Sequence, residues 1–314
     1  MLVHNIARVR YVTYTNLLKA LKVSTSGEKK LNPSYVITTC EILEFDMSVL
    51  NYEVNNHVAV VTLNRPEARN SLNPELIVAL AEVWEQIKGD QQVRVAVITG
   101  AGESTFCSGF DLGTTIPVIT GARDPQNQVE ELIEYERELL RRATLAGYDI
   151  EKPLIAAVNG HAIAGGMELL LSCDLRVVGQ GLKLGLSEVA LGLIPGMGGT
   201  ALLRRHLPGA LAMEMLLCAQ PIISDELADS GLFNRLVPAT DVLTEALQLA
   251  HTIASNAPLA VQAARRVVRH SVDLEEPEAL VLESEAGAVL GQTDDAKEGP
   301  LAFMEKRTPK FEGR

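Results

Sequence analysis

Two spacings of apolar positions, one of strands and one of helices, alternate along this chain and mark out its elements. Residues 57–64 (His-Val-Ala-Val-Val-Thr-Leu-Asn) read as a strand, closed by Arg65-Pro66. Asn73 and Pro74 then fit the cap and first turn of a helix. Leu76, Leu80, Val83, Trp84 and Ile87 follow at helical spacing. Residues 93–99 read as a second strand, apolar throughout but for Arg94 and Thr99, as expected of a strand covered on both faces, and Gly100-Ala101-Gly102 ends it. Residues 106–111 (Phe-Cys-Ser-Gly-Phe-Asp) read as a glycine-containing turn, and residues 113–152 as an irregular loop followed by one acidic helix over 126–145. Residues 154–158 and 175–178 predict two further strands, with a helical turn or two over 166–172 between them. A tight turn feeds another helix from about Gly199. Beyond Pro238 the pattern is helical throughout, over residues 240–255, 258–270, 274–290 and 294–306. The expectation is an α/β fold in three parts: an N-terminal extension (1–46), a core with the active site (47–245) and a C-terminal helical region (246–314).

Composition narrows the class. A chain of 314 residues that is 47% hydrophobic supports a sizeable core in one or two domains. Its net charge of −12 excludes wholesale nucleic-acid binding, which needs a basic face, and leaves anionic ligands only a locally positive spot. No apolar run is long enough to span a bilayer, so no membrane partner is expected. The four cysteines form no C-x-x-C pair, and the six histidines show neither H-E-x-x-H nor H-x-H spacing. Reduced thiols and no metal site follow. Residues 1–27 carry Arg8, Arg10, Lys19 and Lys22 and no acid, and are rich in Ser and Thr. That fits a transit segment to the mitochondrial matrix; the reading adopted is a cytoplasmic protein whose working part starts at Met47.

Two glutamates carry the candidate chemistry. Glu168 stands in Asn159-Gly-His-Ala-Ile-Ala-Gly-Gly-Met-Glu168, and Glu188 follows Leu182, Leu184 and Leu186. A carboxyl among apolar and glycine neighbours is partly desolvated, which raises its pKa toward neutrality and fits it for proton transfer. The plainer alternatives are a dipole-complementing acid in a first helical turn for Glu168 and an exposed edge acid for Glu188. Gly109 lets the chain bend so that the Phe110 amide points outward, and Gly165 lies where its amide can open a helix. Two such amides aimed at one point make an oxyanion hole; taken singly, these glycines are ordinary turn residues. Residues 196–200 (Gly-Met-Gly-Gly-Thr) lack the Gly-Lys-Ser/Thr ending of a phosphate loop.

Several segments in order resemble the crotonase superfamily, and within it the enoyl-CoA hydratases. They are Asn-Arg-Pro-Glu-Ala-Arg-Asn-Ser-Leu-Asn at 64–73, Phe-Cys-Ser-Gly-Phe-Asp-Leu at 106–112 and Lys-Pro-Leu-Ile-Ala-Ala-Val-Asn-Gly at 152–160. Gly-Gly-Met-Glu-Leu at 165–169, Cys-Asp at 173–174, Ile-Pro-Gly-Met-Gly-Gly-Thr at 194–200 and the tail at 298–307 complete the set. The resemblance implies a spiral of β-β-α units and a C-terminal helical region that packs homotrimers, commonly paired as homohexamers. The implied substrate is an acyl-CoA thioester, with coenzyme A as part of the substrate and no other cofactor. By position, Phe110 and Gly165 match the oxyanion hole, and Glu168 and Glu188 match the acids that add water, with syn stereochemistry, to a trans-2-enoyl-CoA. Arg69, Ser108, Asp111 and Leu112, with Phe303 and Lys306 from the tail, match substrate or coenzyme A contacts. Siblings on this scaffold, such as double-bond isomerases that need only the acid at position 188 or specialised dehydratases, are the alternative reading; a non-catalytic acyl-CoA-binding protein is the alternative of another class. Three departures stand out: Ala164 replaces a common glycine, Leu186-Ser187 replace a frequent Gln-Pro, and Gly113 stands where lysine is frequent.

Overall fold

The computed structural model describes residues 8–13 and 41–314, with side chains from residue 48 onward. Most of the transit-type segment expected near the N-terminus lies outside the described residues. Strands β1 (Arg8–Thr13) and β2 (Glu41–Asp46) pair antiparallel in a small sheet of their own. β3 (Leu50–Asn55) and β4 (Val58–Leu63) form a hairpin whose turn residues, Asn56 and His57, are both left-handed, with φ of 49° and 66°. Such a turn matches the right-handed twist of the strands it joins. The side chain of Asn73 accepts from the Leu76 amide and caps α1 (Pro74–Gly89), whose Trp84 ring is fully buried.

Three turns of a spiral follow. Each gives a longer strand to one sheet and a three-residue strand to another: β5 (Val95–Gly100) with β6 (Thr105–Cys107), β7 (Leu154–Val158) with β8 (His161–Ile163), and β9 (Leu175–Gly179) with β10 (Lys183–Gly185). The six-stranded sheet runs β12-β9-β7-β5-β4-β3, with β12 at Arg235–Val237, and is parallel except for the β3–β4 pair. The four-stranded sheet runs β11-β10-β8-β6, with β11 (Ile222–Ile223) antiparallel at its edge. β5 is buried on both faces. Ala96 and Ile98 join the core under α1, while Val95 and Val97 face a second core with Val58, Ile155 and Val177.

Between β6 and β7 the chain forms α2 (Thr115–Ile119), α3 (Gln128–Tyr135) and α4 (Glu138–Ala143). The single helix expected over 126–145 is therefore broken, at Glu136 with φ −100° and ψ 70°. The break turns Leu139, Leu140 and Ala143 into the core, where the Ala143 carbonyl accepts from the Trp84 indole at 3.1 Å. α5 (Gly165–Ser172) follows β8 directly, and α6 (Gly199–His206) and α7 (Gly209–Cys218) follow β10.

α8 (Val242–Ala254) closes the second core with Ala246, Ala250 and Ala254, so the division expected at 245/246 falls inside this helix. α9 (Pro258–Ser271), α10 (Glu276–Leu290) and α11 (Asp294–Met304) bury little: Ala263, Ala286, Asp295 and Ala302. The Arg265 guanidinium ties α9 to the core through Asp149 and Asp174, each at 2.7 Å. Val268, Val272, Leu280, Val281 and Val289 remain exposed along α9 and α10 and the turn between them. No helix of the described residues is long and apolar enough to cross a membrane.

Candidate active site

α5 sets the first acid. Its eight residues are all buried, and Glu168, in the first turn, is 1% exposed. A carboxylate so placed needs donors, and a segment 29 to 31 residues further on supplies them. The Met197 and Gly199 amides donate to Glu168 Oε1 at 2.7 and 3.0 Å. These amides lie at the start of α6, where the backbone dipoles favour negative charge. Only glycine permits the approach at 199, since a β-carbon there would stand 3.0 Å from Oε1 and 2.5 Å from the Pro195 ring. Oε2 receives no hydrogen bond from the described residues. Burial raises the Glu168 pKa, and the two amides pull it partly back.

β10 delivers the second acid three residues beyond its end. Glu188 opens a 3-10 turn (Glu188–Leu191) and is half-buried; its Oε2 is buried without a hydrogen-bond partner among the described residues. Its pKa is raised to about 7, first by burial and second by the charge of Glu168, against a smaller opposite pull from its own amide and that of Ser187. The effect of that charge separates the two carboxyls in character. Glu168 is held by donors, whereas Glu188 has none on its buried oxygen, so a single proton on the pair resides on Glu188.

The amides come from the neighbouring turns. Gly109, with φ +91°, packs against the Ala164–Gly165 turn so closely that a β-carbon on it would stand 2.9 Å from the Gly165 nitrogen. Neither the Phe110 nor the Gly165 amide has an acceptor among the described residues. Gly165 lies one turn before Glu168 on the same helix, so the two amides and the two acids share one locale.

Residues 53–314 match the family described as Enoyl-CoA hydratase/isomerase. The chain belongs to the enoyl-CoA hydratase/isomerase family. It is 40% identical to the (E)-benzylidenesuccinyl-CoA hydratase of Thauera aromatica, over 83% of this chain and 98% of that one. It is 40% identical to the enoyl-CoA hydratase EchA19 of Mycobacterium tuberculosis, over 83% and 96%. The crystal structure of an enoyl-CoA hydratase from Bacillus anthracis superposes with a TM-score of 0.76 at 33% identity, covering 85% of this chain and 100% of that one.

In this enoyl-CoA hydratase/isomerase family member the remaining expected site residues fall into two groups. Arg69, Ser108, Asp111 and Leu112 surround the Phe110 turn: the Ser108 amide donates to the Arg69 carbonyl at 3.2 Å, the Asp111 amide donates to the Leu72 carbonyl at 3.1 Å, and Leu112 is 61% exposed. Asp111 is fully engaged within the chain. Its Oδ1 accepts from the Gly113 and Thr114 amides, and its Oδ2 from the Ser71 hydroxyl and the Arg65 guanidinium. Burial pushes its carboxyl up, but these donors outweigh burial and leave its pKa lowered. Phe303, 84% exposed, and Lys306 stand near the end of α11, and no hydrogen bond or ion pair among the described residues ties them to the two acids.

Reading by residue type missed Met197 and Gly199 as the donors to Glu168, and Arg65 and Ser71 as the partners of Asp111. The available signal was the lone acid among apolar neighbours, which requires donors from elsewhere. Among the described residues no group of three or more His, Cys, Asp or Glu is placed to hold a metal. Cys107 and Cys173 are buried, with burial pushing both thiols up to about 12.

Proposed function

We propose that this protein adds water to a 2-enoyl-CoA thioester to give the 3-hydroxyacyl-CoA. The observation that carries the reading is the unequal pair of carboxyls: Glu168 held by two amides, and Glu188 raised to about 7 beside it. A hydration needs one group to take a proton from water and another to give one to carbon. In this reading the thioester oxygen sits between the Phe110 and Gly165 amides, which draw electrons from the β-carbon. Oε2 of ionised Glu168 takes a proton from water as the water oxygen bonds to the β-carbon. The π electrons move onto the thioester oxygen as an enolate, and protonated Glu188 then delivers its proton to the α-carbon.

A second activity on the same scaffold, shifting a double bond, moves a proton between two carbons and needs one acid. The presence of both acids, and hydratase names on relatives at 40% identity, favour hydration. Coenzyme A serves as the handle, reached by Arg69, Ser108 and Leu112 from the Phe110 turn, while Asp111 shapes that turn. Phe303 and Lys306 act on the substrate of an adjoining subunit, in a homotrimer or a pair of homotrimers assembled through the exposed apolar residues of the helical region. The decisive assay mixes the protein with crotonyl-CoA. Loss of the conjugated enoyl absorbance with formation of 3-hydroxybutyryl-CoA is expected; turnover of a 3-enoyl-CoA alone, or binding without turnover, refutes the proposal.

The pair also fixes the pH profile. Hydration starts with one proton on Glu188 and ends with one proton on Glu168, so both directions of the reaction use the singly protonated pair. Raising pH through about 7 removes that proton, and kcat/KM falls. The expected profile, read from initial rates, is a bell whose alkaline limb has an apparent pKa near 7. The limb is absent from the residual activity of Glu188→Gln. A flat rate from about pH 6 to 9 contradicts the assignment. Because the Glu188 pKa is raised in the fold, its contribution to stability is full below the ordinary carboxylate range. That contribution is lost as pH rises through about 7.

A further inference from the structure

Ala164 is a strained backbone position at the site, with φ 52° and ψ −123°, a conformation that glycine holds easily and an L-residue does not. Three contacts keep it there. Its amide donates to the Gly185 carbonyl at 2.8 Å, extending the β8–β10 pairing toward Glu188. Its carbonyl accepts from the Glu168 amide at 3.0 Å, the first bond of α5. Its methyl lies against the Gly109 turn: a β-carbon on Gly109 would stand 2.8 Å from it. One residue therefore touches the segments that carry Phe110, Gly165, Glu168 and Glu188.

We propose that Ala164 is a positioning residue for the hydration, aiming the Gly165 amide and setting the spacing between the oxyanion hole and both acids through its strained backbone. Strain of this kind persists only where surrounding contacts over-determine it. If Ala164 relaxed toward an ordinary extended or helical conformation, the peptide joining it to Gly165 would rotate. The Gly165 amide would then turn away from the thioester oxygen, and the bonds to Gly185 and Glu168 would be lost with it. The methyl fits because Gly109 leaves room for it; a β-branched side chain crowds its own backbone further at positive φ.

The proposal rests on the hydratase reading, and its test separates the two. Ala164→Gly removes the strain, and a rise in melting temperature of about 2 °C is expected. Ala164→Val makes the strained conformation harder to hold, and kcat is expected to fall about tenfold or more while KM changes little. Ala164→Leu takes its place if the valine variant does not fold. The discriminating readout is binding of a 3-oxoacyl-CoA, whose enolate requires the hole, against a saturated acyl-CoA of equal length, which requires it less. The affinity ratio should fall in the valine or leucine variant. Equal weakening of both ligands, kcat within threefold of the parent in that variant, or a lower melting temperature for Ala164→Gly overturns the proposal. Absence of crotonyl-CoA turnover by the unmodified protein defeats the hydratase reading alone, because the affinity ratio still reports on the hole.

Discussion

Glu188→Gln is expected to lower crotonyl-CoA hydration by about 10²–10⁴-fold, with KM nearly unchanged, since general acid catalysis contributes on that scale. Glutamine keeps the size of the side chain and cannot deliver an acidic proton to carbon. It also relieves the repulsion from Glu168, so the variant should fold at least as well as the parent, and a loss of rate cannot be charged to unfolding. Glu168→Gln is expected to fall in the same range for a different reason. Its amide oxygen can still accept from Met197 and Gly199, but its NH₂ group has no lone pair for a proton from water. Because the two acids act as a unit in one proton-transfer sequence, the double variant should be little worse than either single one. Steady-state rates with crotonyl-CoA, together with coenzyme A binding, make the comparison. A rate within threefold of the parent in either single variant removes that residue from the proposed role.

The two acids were visible in the sequence because each is a charge in an apolar setting, and that contrast survives without coordinates. α1 and β5 were visible for a related reason: Asn73-Pro74 marks a helix start, and the unbroken apolar run of β5 is what two covered faces require. The short strands β6, β8 and β10 were not visible. Three residues hold no periodicity, and their strand character comes from neighbours far away in sequence, as in the Leu184–Ala162 pairing. The break at Glu136 was hidden for a similar reason. It is set by the need to pack Leu139 and Leu140 beside Trp84, whereas local propensity favours one continuous helix.

Backbone chemistry was the larger gap. The donors to Glu168 are main-chain amides of Met197 and Gly199, and an amide has no letter in a sequence. Residues 196–200 form the turn feeding a helix that their glycines predict. Their effect on the acid, two hydrogen bonds that pull its pKa partly back against burial, needs the fold to bring α6 onto α5. Asp111 shows the converse. Its letter matches a contact residue of the family, yet the structure gives both its oxygens to Arg65, Ser71, Gly113 and Thr114. In the proposed reaction it acts through the shape of the turn that follows Phe110.

Gly109→Ala is expected to damage the oxyanion hole and leave the acids in place, lowering kcat by about 10²–10³-fold, the range for loss of one hole donor. Two independent features of position 109 forbid a side chain. Its φ of +91° lies where an L-residue is strained, and a methyl would meet the Ala164 methyl at 2.8 Å and the Gly165 nitrogen at 2.9 Å. Neither neighbour is the free end of a flexible chain. Relief therefore comes from separating the Phe110 and Ala164–Gly165 turns, which are the two halves of the proposed hole. Glu168 is still held by Met197 and Gly199, so the alkaline limb near pH 7 should persist in the residual activity. Loss of kcat with retained coenzyme A affinity and a retained limb assigns the damage to the hole. A variant with parental kcat, or one whose pH limb vanishes along with its rate, shows instead that the turns around Gly109 do not set the donors for the thioester oxygen.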